Sequence, residues 1–278
     1  MWNQIKTVLL LGILSGLVLA VGFLLGGNNG LVIALGFSVL MNFGMYFWSH
    51  KLVLAMYRAR PASKKEYPHL HKMVEDIAHQ IGLPKPALYI VPTETPNAFA
   101  TGPSPKKAVV ACTEGILKLL NDNELKGVLA HELSHVKNRD MLVTTIAATL
   151  AAVLSTVARV AMWSNIGNDR NRGIHPIAAI FLIIITPIVA LLIQLAISRS
   201  REYLADETGA KTIKDSHSLA SALHKLEHGC KAKPLRFGNP TTSSLFIVNP
   251  FTAHGLVALF STHPPVQKRV ERLMKMKF

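Results

Sequence analysis

The sequence predicts an α+β protein, mainly α with a small β element, in which a polar domain is interrupted by a transmembrane helical hairpin. Three observations carry that prediction. Half of the 278 residues are apolar and the mean hydropathy is positive. Residues 7–50, 141–158 and 173–198 contain no Asp, Glu, Lys or Arg. The segments between them carry helical apolar spacing, with only two short strand-like runs.

At about 1.5 Å per residue, roughly 20 helical residues cover a hydrocarbon core about 30 Å thick. The first uncharged stretch therefore holds two helices, near residues 7–25 and 31–48, folded as a hairpin about Gly26-Gly27-Asn28-Asn29-Gly30. With the runs at 141–158 and 173–198, four transmembrane helices are expected. Each later run taken alone also reads as a helix buried in a soluble core. Lys6 and the small residues near Ala20 also suit a cleaved secretory signal. The run is long for one and a second follows directly, so a retained anchor is expected. The organisation is then an N-terminal hairpin (1–50), a polar part (51–140), a second hairpin (141–198) and a second polar part (199–278).

In the first polar part, RPASKK (60–65) reads as a linker. YPHLHKMVEDIAHQIGLP is an amphipathic helix, with Pro68 in its first turn, Gly82 at its end, and Leu70, Val74, Ile77 and Ile81 on one face. ALYIV (87–91) and AVVAC (108–112) read as strands around the loop PNAFATGPSPKK. Thr113 can cap the short helix TEGILKLL. The stretch NDNELKGVLAHELSHVKNRD opens on capping residues, Asn121 to Asn123. Glu124 favours the positive end of the helix dipole, and Leu125, Leu129, Leu133 and Val136 form an apolar stripe. After the second hairpin come SRSREYLADETGAKTIKD, an amphipathic stretch at 219–228 and a loop rich in Pro, Thr, Ser and Asn. A basic terminal helix, PPVQKRVERLMKMK, closes the chain.

The net charge of +14 raises nucleic acid as a partner, but its distribution argues against one. Thirteen basic residues fall in 49–140 and thirteen in 199–278, while the short loop 164–176 has only Arg170 and Arg172. By the positive-inside tendency both polar parts face the cytoplasm. No basic stretch is interleaved with aromatics, as a single-strand-binding groove requires. Cys112 and Cys230 imply no disulfide framework, suit a reducing compartment, and read as buried packing rather than nucleophiles.

The chemistry centres on HELSH. His131 and His135, four apart in a helix, project from one face close enough to share an ion. Zinc accepts imidazole nitrogen in a tetrahedral set, and a catalytic site keeps one position for water. Glu132, beside the first ligand, is placed to take a proton from that water. In SREYLADETGA, Glu202 and Asp206 are also four apart. Glu202 can complete a two-His-one-Glu set, and Asp206 can accept the second ring N–H of a ligand His. By itself this pair also reads as an exposed acidic stripe. Topology favours the metal reading, because His135 lies six residues before one membrane run and Glu202 four after the next. Two spanning helices return the chain to the side it left, bringing both ligand helices to one membrane surface.

HELSHVKNRD, a hydrophobic hairpin, SREYLADETGA, FSTHPPVQKRV and PNAFATG together resemble the HtpX family of membrane-bound zinc metalloproteases, relatives of the type 1 CAAX prenyl proteases. The resemblance covers nearly the whole chain. It implies a zincin-like domain with one Zn2+ held by His131, His135 and Glu202, and Glu132 as catalytic base. It also implies endopeptidase activity on misfolded or damaged membrane proteins, in stress response and quality control. The setting it implies is a bacterial inner membrane, multi-pass, with the active site facing the cytoplasm. His263 resembles the family's late His-Pro element and can donate to the oxyanion of the tetrahedral intermediate; a loop His packed on Pro264 and Pro265 reads as well. Asn97, Ala98, Phe99 and Ala100 can form a cleft edge to which an extended substrate adds as a strand; an ordinary core strand–loop fits equally. The expected partners are the lipid bilayer and polypeptide substrates. The rival readings are a structural zinc clamp, for which Glu132 is dispensable, an ion transporter, and a prenyl-protein protease. Transport sites lie near the bilayer midplane, whereas these ligands lie outside the apolar runs.

Overall fold

The computed structural model describes residues 2–164, 199–251 and 264–278. Helix α1 runs Trp2–Met56 and is broken at Gly26 (φ −145°, ψ 17°) and Gly27 (φ 56°, ψ −139°). The Gly27 conformation is open to glycine because it has no Cβ to clash. The two arms fold back on each other. Asn42 Nδ2 donates to Ser15 Oγ at 2.7 Å, although 27 residues of straight helix would part them by about 40 Å. The chain folds back on itself within the region expected as a hairpin, residues 1–50, with two differences from the expected helices. Two glycines make the turn in place of five residues, and the second arm continues to Met56 because Val53 and Leu54 find a buried core beyond Trp48.

Residues 26–56 form a helix long and apolar enough to span a membrane, with only 11% of its most apolar window buried. Large apolar side chains such as Ile33 and Leu40 are exposed along it, the pattern of a lipid-facing surface. Shorter apolar stretches among the described residues lie at 11–20 and 141–152. The expectation of four spans is therefore met by one clear span, and the run at 173–198 lies outside the described residues.

The sheet has the order β1-β2-β4-β3. β1 (Arg60–Pro61) pairs antiparallel with β2 (Ala87–Val91), in the stretch read as a linker. Proline is tolerated there because β1 is an edge. β2 runs parallel to β4 (Val109–Thr113), from Ala87 opposite Val109 to Val91 opposite Thr113. β3 (Ala98–Thr101) pairs antiparallel with β4, Ala98 opposite Cys112. Residues 98–101, read from sequence as loop, are thus the second edge strand. All four are buried, so packing rather than β-propensity decides their conformation.

Helices α2 (Pro68–Gln80) and α4 (Asp122–Asn138) and their neighbours build the main core. The predicted stripes Leu70, Val74, Ile77, Ile81 and Leu125, Leu129, Leu133, Val136 all lie in it. The short α3 (Glu114–Leu119) is capped by Thr113, whose hydroxyl accepts from the Ile116 N–H. A second cluster joins Val53, Leu54 and Tyr57 to Phe99 and Phe246. Helix α5 (Met141–Ser164) starts inside the protein: Met141, Val143, Ile146 and Ala148 are buried, with packing from α1 and the turn Pro240–Leu245. Helices α6 (Arg199–Ile213), α7 (Ser216–Ala232) and α8 (Val266–Met274) complete the chain. Both cysteines are free and buried, and burial pushes each thiol up to about 12, so neither is poised as a nucleophile.

Candidate metal centre

Helix α4 is fixed at both ends. At its start the Asn121 side chain accepts from the Glu124 N–H while the Glu124 carboxylate accepts from the Asn121 N–H, a reciprocal cap. Glu124 also accepts from Ser221 Oγ at 2.7 Å and Lys225 Nζ at 2.8 Å, which ties α4 to α7. At its end Arg139 takes a left-handed conformation (φ 56°), so the chain turns through Asp140 into α5. Helix α6 lies close against α4. Gly209 permits this, since a Cβ there would sit 2.9 Å from the His131 backbone nitrogen.

That contact brings three candidate ligands together. His131 Nε2 lies 3.2 Å from His135 Nε2. Glu202 Oε2 is 3.7 Å from His131 Nε2, and Glu202 Oε1 is 3.6 Å from His135 Nε2. A tetrahedral ion with ligand bonds of about 2.0–2.2 Å separates its donors by roughly 3.3–3.6 Å. The donor set, two imidazoles and a carboxylate, is also one that zinc accepts, so these residues fit the ion. His131 is fully buried and Glu202 is 5% exposed.

Each imidazole has its own carboxylate. His131 Nδ1 is 2.9 Å from Asp206 Oδ1, and His135 Nδ1 is 3.1 Å from Asp140 Oδ2. Such bonds fix the Nδ1–H tautomer and leave Nε2 free to ligate. Asp206 accepts a bidentate pair from Arg269 at 2.7 and 2.8 Å. Asp140 and Arg269 went unnoticed in the sequence. The signal for Asp140 was available, as it directly follows the left-handed cap of the HELSH helix. Nothing local distinguishes Arg269 from the other basic residues of its helix.

The site gathers competing charges. Burial pushes Glu132 up to about 8; His135 pulls against that shift and Glu202 adds to it. Burial works against a charge on His135, yet Asp140 and Glu202 outweigh it and raise it to about 10. Burial lowers His131, with the Asp206 bond opposing. Burial also works against charge on Asp206, but Arg269 holds that carboxyl below the usual range. The Ala100 backbone hydrogen-bonds Glu132, placing the β3 edge beside it.

A cleft over this cluster is lined by Ala100, Met141, Thr144, Leu245 and Phe246. Of the expected substrate edge, Ala100 faces the cleft. Ala98 accepts from the Ile247 N–H at 3.3 Å, so the 247–248 segment already holds that end of β3. Asn97 is buried, with Nδ2 donating to Val248 O at 2.7 Å. Phe99 is buried against Tyr57 and Phe246, at ring distances of 5.8 and 5.2 Å. His263 lies outside the described residues.

Residues 64–277 match the family described as Peptidase family M48. A Protease HtpX homolog of Pyrococcus furiosus is 53% identical over 98% of this chain and 95% of its own length. Homologs with the same name from Persephonella marina and Methanocaldococcus jannaschii are 51% and 49% identical, each over 99% of this chain and at least 97% of their own. Among solved structures, S. mikatae Ste24p matches with a TM-score of 0.50 and 20% identity. The match covers 98% of this chain but only 65% of Ste24p, a likeness of fold.

Proposed function

Because the chain belongs to peptidase family M48, we propose that it uses one Zn2+, held by His131, His135 and Glu202, to hydrolyse peptide bonds of membrane proteins at the cytoplasmic surface. As a member of that family, with protease homologs matching nearly its full length, it is a membrane metalloendopeptidase. The reading of the site rests on one observation above others. Ligand atoms from two helices far apart in sequence converge within 4.8 Å of one another.

When bound, the zinc supplies a Lewis acid that polarises a peptide carbonyl and lowers the pKa of water. Glu132 takes the proton of the attacking water and delivers it to the leaving amine. Its buried position suits this exchange, since burial brings its proton affinity toward neutrality. Asp206 and Asp140 hold the two imidazoles in their ligating orientation. The cleft side of β3, at Ala100, offers backbone to an extended segment, facing a wall formed by Leu245, Phe246 and Ile247. No covalent acyl-enzyme forms, consistent with two buried, protonated thiols.

The lipid-facing helix at 26–56 holds the site near a bilayer, which favours cytoplasmic loops and juxtamembrane segments of misfolded or damaged membrane proteins. His263 remains a candidate donor to the tetrahedral oxyanion. The test is Glu132→Gln, purified in detergent with chelator present until assay. Abolished hydrolysis with zinc still bound is expected; retained proteolysis removes the mechanism. Cleavage of a soluble casein-like substrate far better than a membrane-tethered one removes the substrate assignment.

A further inference from the structure

Arg269 is fully buried on α8, a helix whose other basic residues are partly or fully exposed. A guanidinium there must be fully engaged, since burying an unpaired charge is costly. Its fork grips Asp206 with both arms: Nη2 donates to Oδ1 at 2.7 Å and Nε to Oδ2 at 2.8 Å. Asp206 Oδ1 is the same oxygen that lies 2.9 Å from His131 Nδ1. The third arm, Nη1, donates to the Ile247 carbonyl at 2.9 Å. Ile247, which lines the cleft, in turn donates its N–H to the Ala98 carbonyl of β3. Nη2 also abuts the imidazole, 3.4 Å from each ring nitrogen of His131.

A buried ion pair is weak evidence of a stabilising role, because apolar replacements of similar volume are often neutral or better. The placement of this one, between a candidate metal ligand and the cleft wall, asks for another reason. We propose that Arg269 is a positioning residue of the metal centre: by clamping Asp206 and the Ile247 carbonyl together, it sets the His131 ring and the cleft wall as one unit. The terminal helix α8 thus becomes part of the site, 138 residues from His131. Lysine cannot replace it, since an ammonium lacks the planar fork that takes two carboxylate oxygens and a carbonyl at once.

The inference rests on the reading that His131, His135 and Glu202 hold zinc. The experiment compares full-length wild type, Arg269→Lys, Arg269→Met, Asp206→Asn and the Arg269→Lys/Asp206→Asn double variant in detergent. Zinc affinity is measured by chelator competition, melting by circular dichroism on metal-free protein, and kcat and KM on a quenched peptide. Arg269→Lys is expected to lower zinc affinity about 10- to 100-fold, the scale for outer partners of a ligand His. It should also raise KM while leaving the metal-free protein folded. The double variant should bind zinc no worse than Asp206→Asn, because Arg269 acts on the ion through Asp206. Unchanged zinc affinity in Arg269→Lys, or losses that multiply in the double variant, overturns the proposal. So does a metal-free Arg269→Lys and Arg269→Met that both fail to fold, which would assign Arg269 to the fold alone. Wild type that binds no zinc defeats the ligand reading itself, a result distinct from all of these.

Discussion

Gly209→Ala separates the geometry of the site from the stability of the fold. The added Cβ would lie 2.9 Å from the His131 nitrogen and 3.1 Å from both Ala130 C and His131 Cα. These are backbone atoms, so no side chain can swing aside. Ordinary contact begins near 3.4 Å. Helices α4 and α6 must therefore part by about 0.5 Å, which exceeds the roughly 0.2 Å tolerance of metal–ligand distances. Glu202 lies seven residues earlier on α6, on the same face, so it moves with Gly209. Stability changes less, because two effects oppose. Overpacking costs about 1–3 kcal/mol, and alanine recovers about 0.8–1 kcal/mol over glycine within a helix. A net loss of about 0–2 kcal/mol is expected, against a fall in zinc affinity on the order of tenfold, the scale of mispositioned supporting groups. Chelator competition and urea denaturation of the metal-free variant measure the two separately. A variant that binds zinc as tightly as wild type would refute the claim that close packing at Gly209 sets the ligand spacing.

Asp140→Asn removes the carboxylate bonded to His135 Nδ1, and should weaken zinc binding about 10- to 100-fold while circular dichroism stays unchanged. Zinc binding should release protons and tighten as pH rises from 6 to 9, because His135, raised to about 10 without metal, must lose its proton to ligate; calorimetry in buffers of different ionisation enthalpy reads this directly. Metal-free protein should lose stability to urea between pH 7 and 10. Glu132 and His135 both have folded values above their ordinary 4.5 and 6.5. Their stabilisation is full below those values and disappears as pH rises through about 8 and about 10 respectively. Asn97→Ala strips the Val248 carbonyl of its 2.7 Å donor and should cost about 1–3 kcal/mol of stability.

Periodicity made much of this architecture readable. Leu70, Val74, Ile77 and Ile81 state one buried helical face, and the four-residue spacing of His131 and His135 states where both imidazoles point. The convergence with Glu202 was expected from topology and is seen as ligand atoms within 4.8 Å of one another, while the spans assumed in that expectation lie largely outside the described residues. Residues 98–101 were not, because Ala-Phe-Ala-Thr carries no strand pattern and is extended only through its pairing with β4. Arg269 was missed for a related reason: its acceptors, Asp206 and Ile247, are 63 and 22 residues away, and a basic helix reads as exposed. At 141–158 the expected helix is present, but its first half is buried in the protein. An uncharged run records only that water is excluded, and here α1 and the 240–245 turn exclude it from the run's first half.

The most direct measurement is X-ray absorption at the zinc edge on the loaded protein and on Glu202→Ala. Two imidazole nitrogens and carboxylate or water oxygen near 2.0–2.2 Å are expected, at one ion per chain, with the oxygen shell altered and binding weakened in Glu202→Ala. A sulfur shell near 2.3 Å, or a spectrum and affinity indifferent to Glu202, would contradict the account.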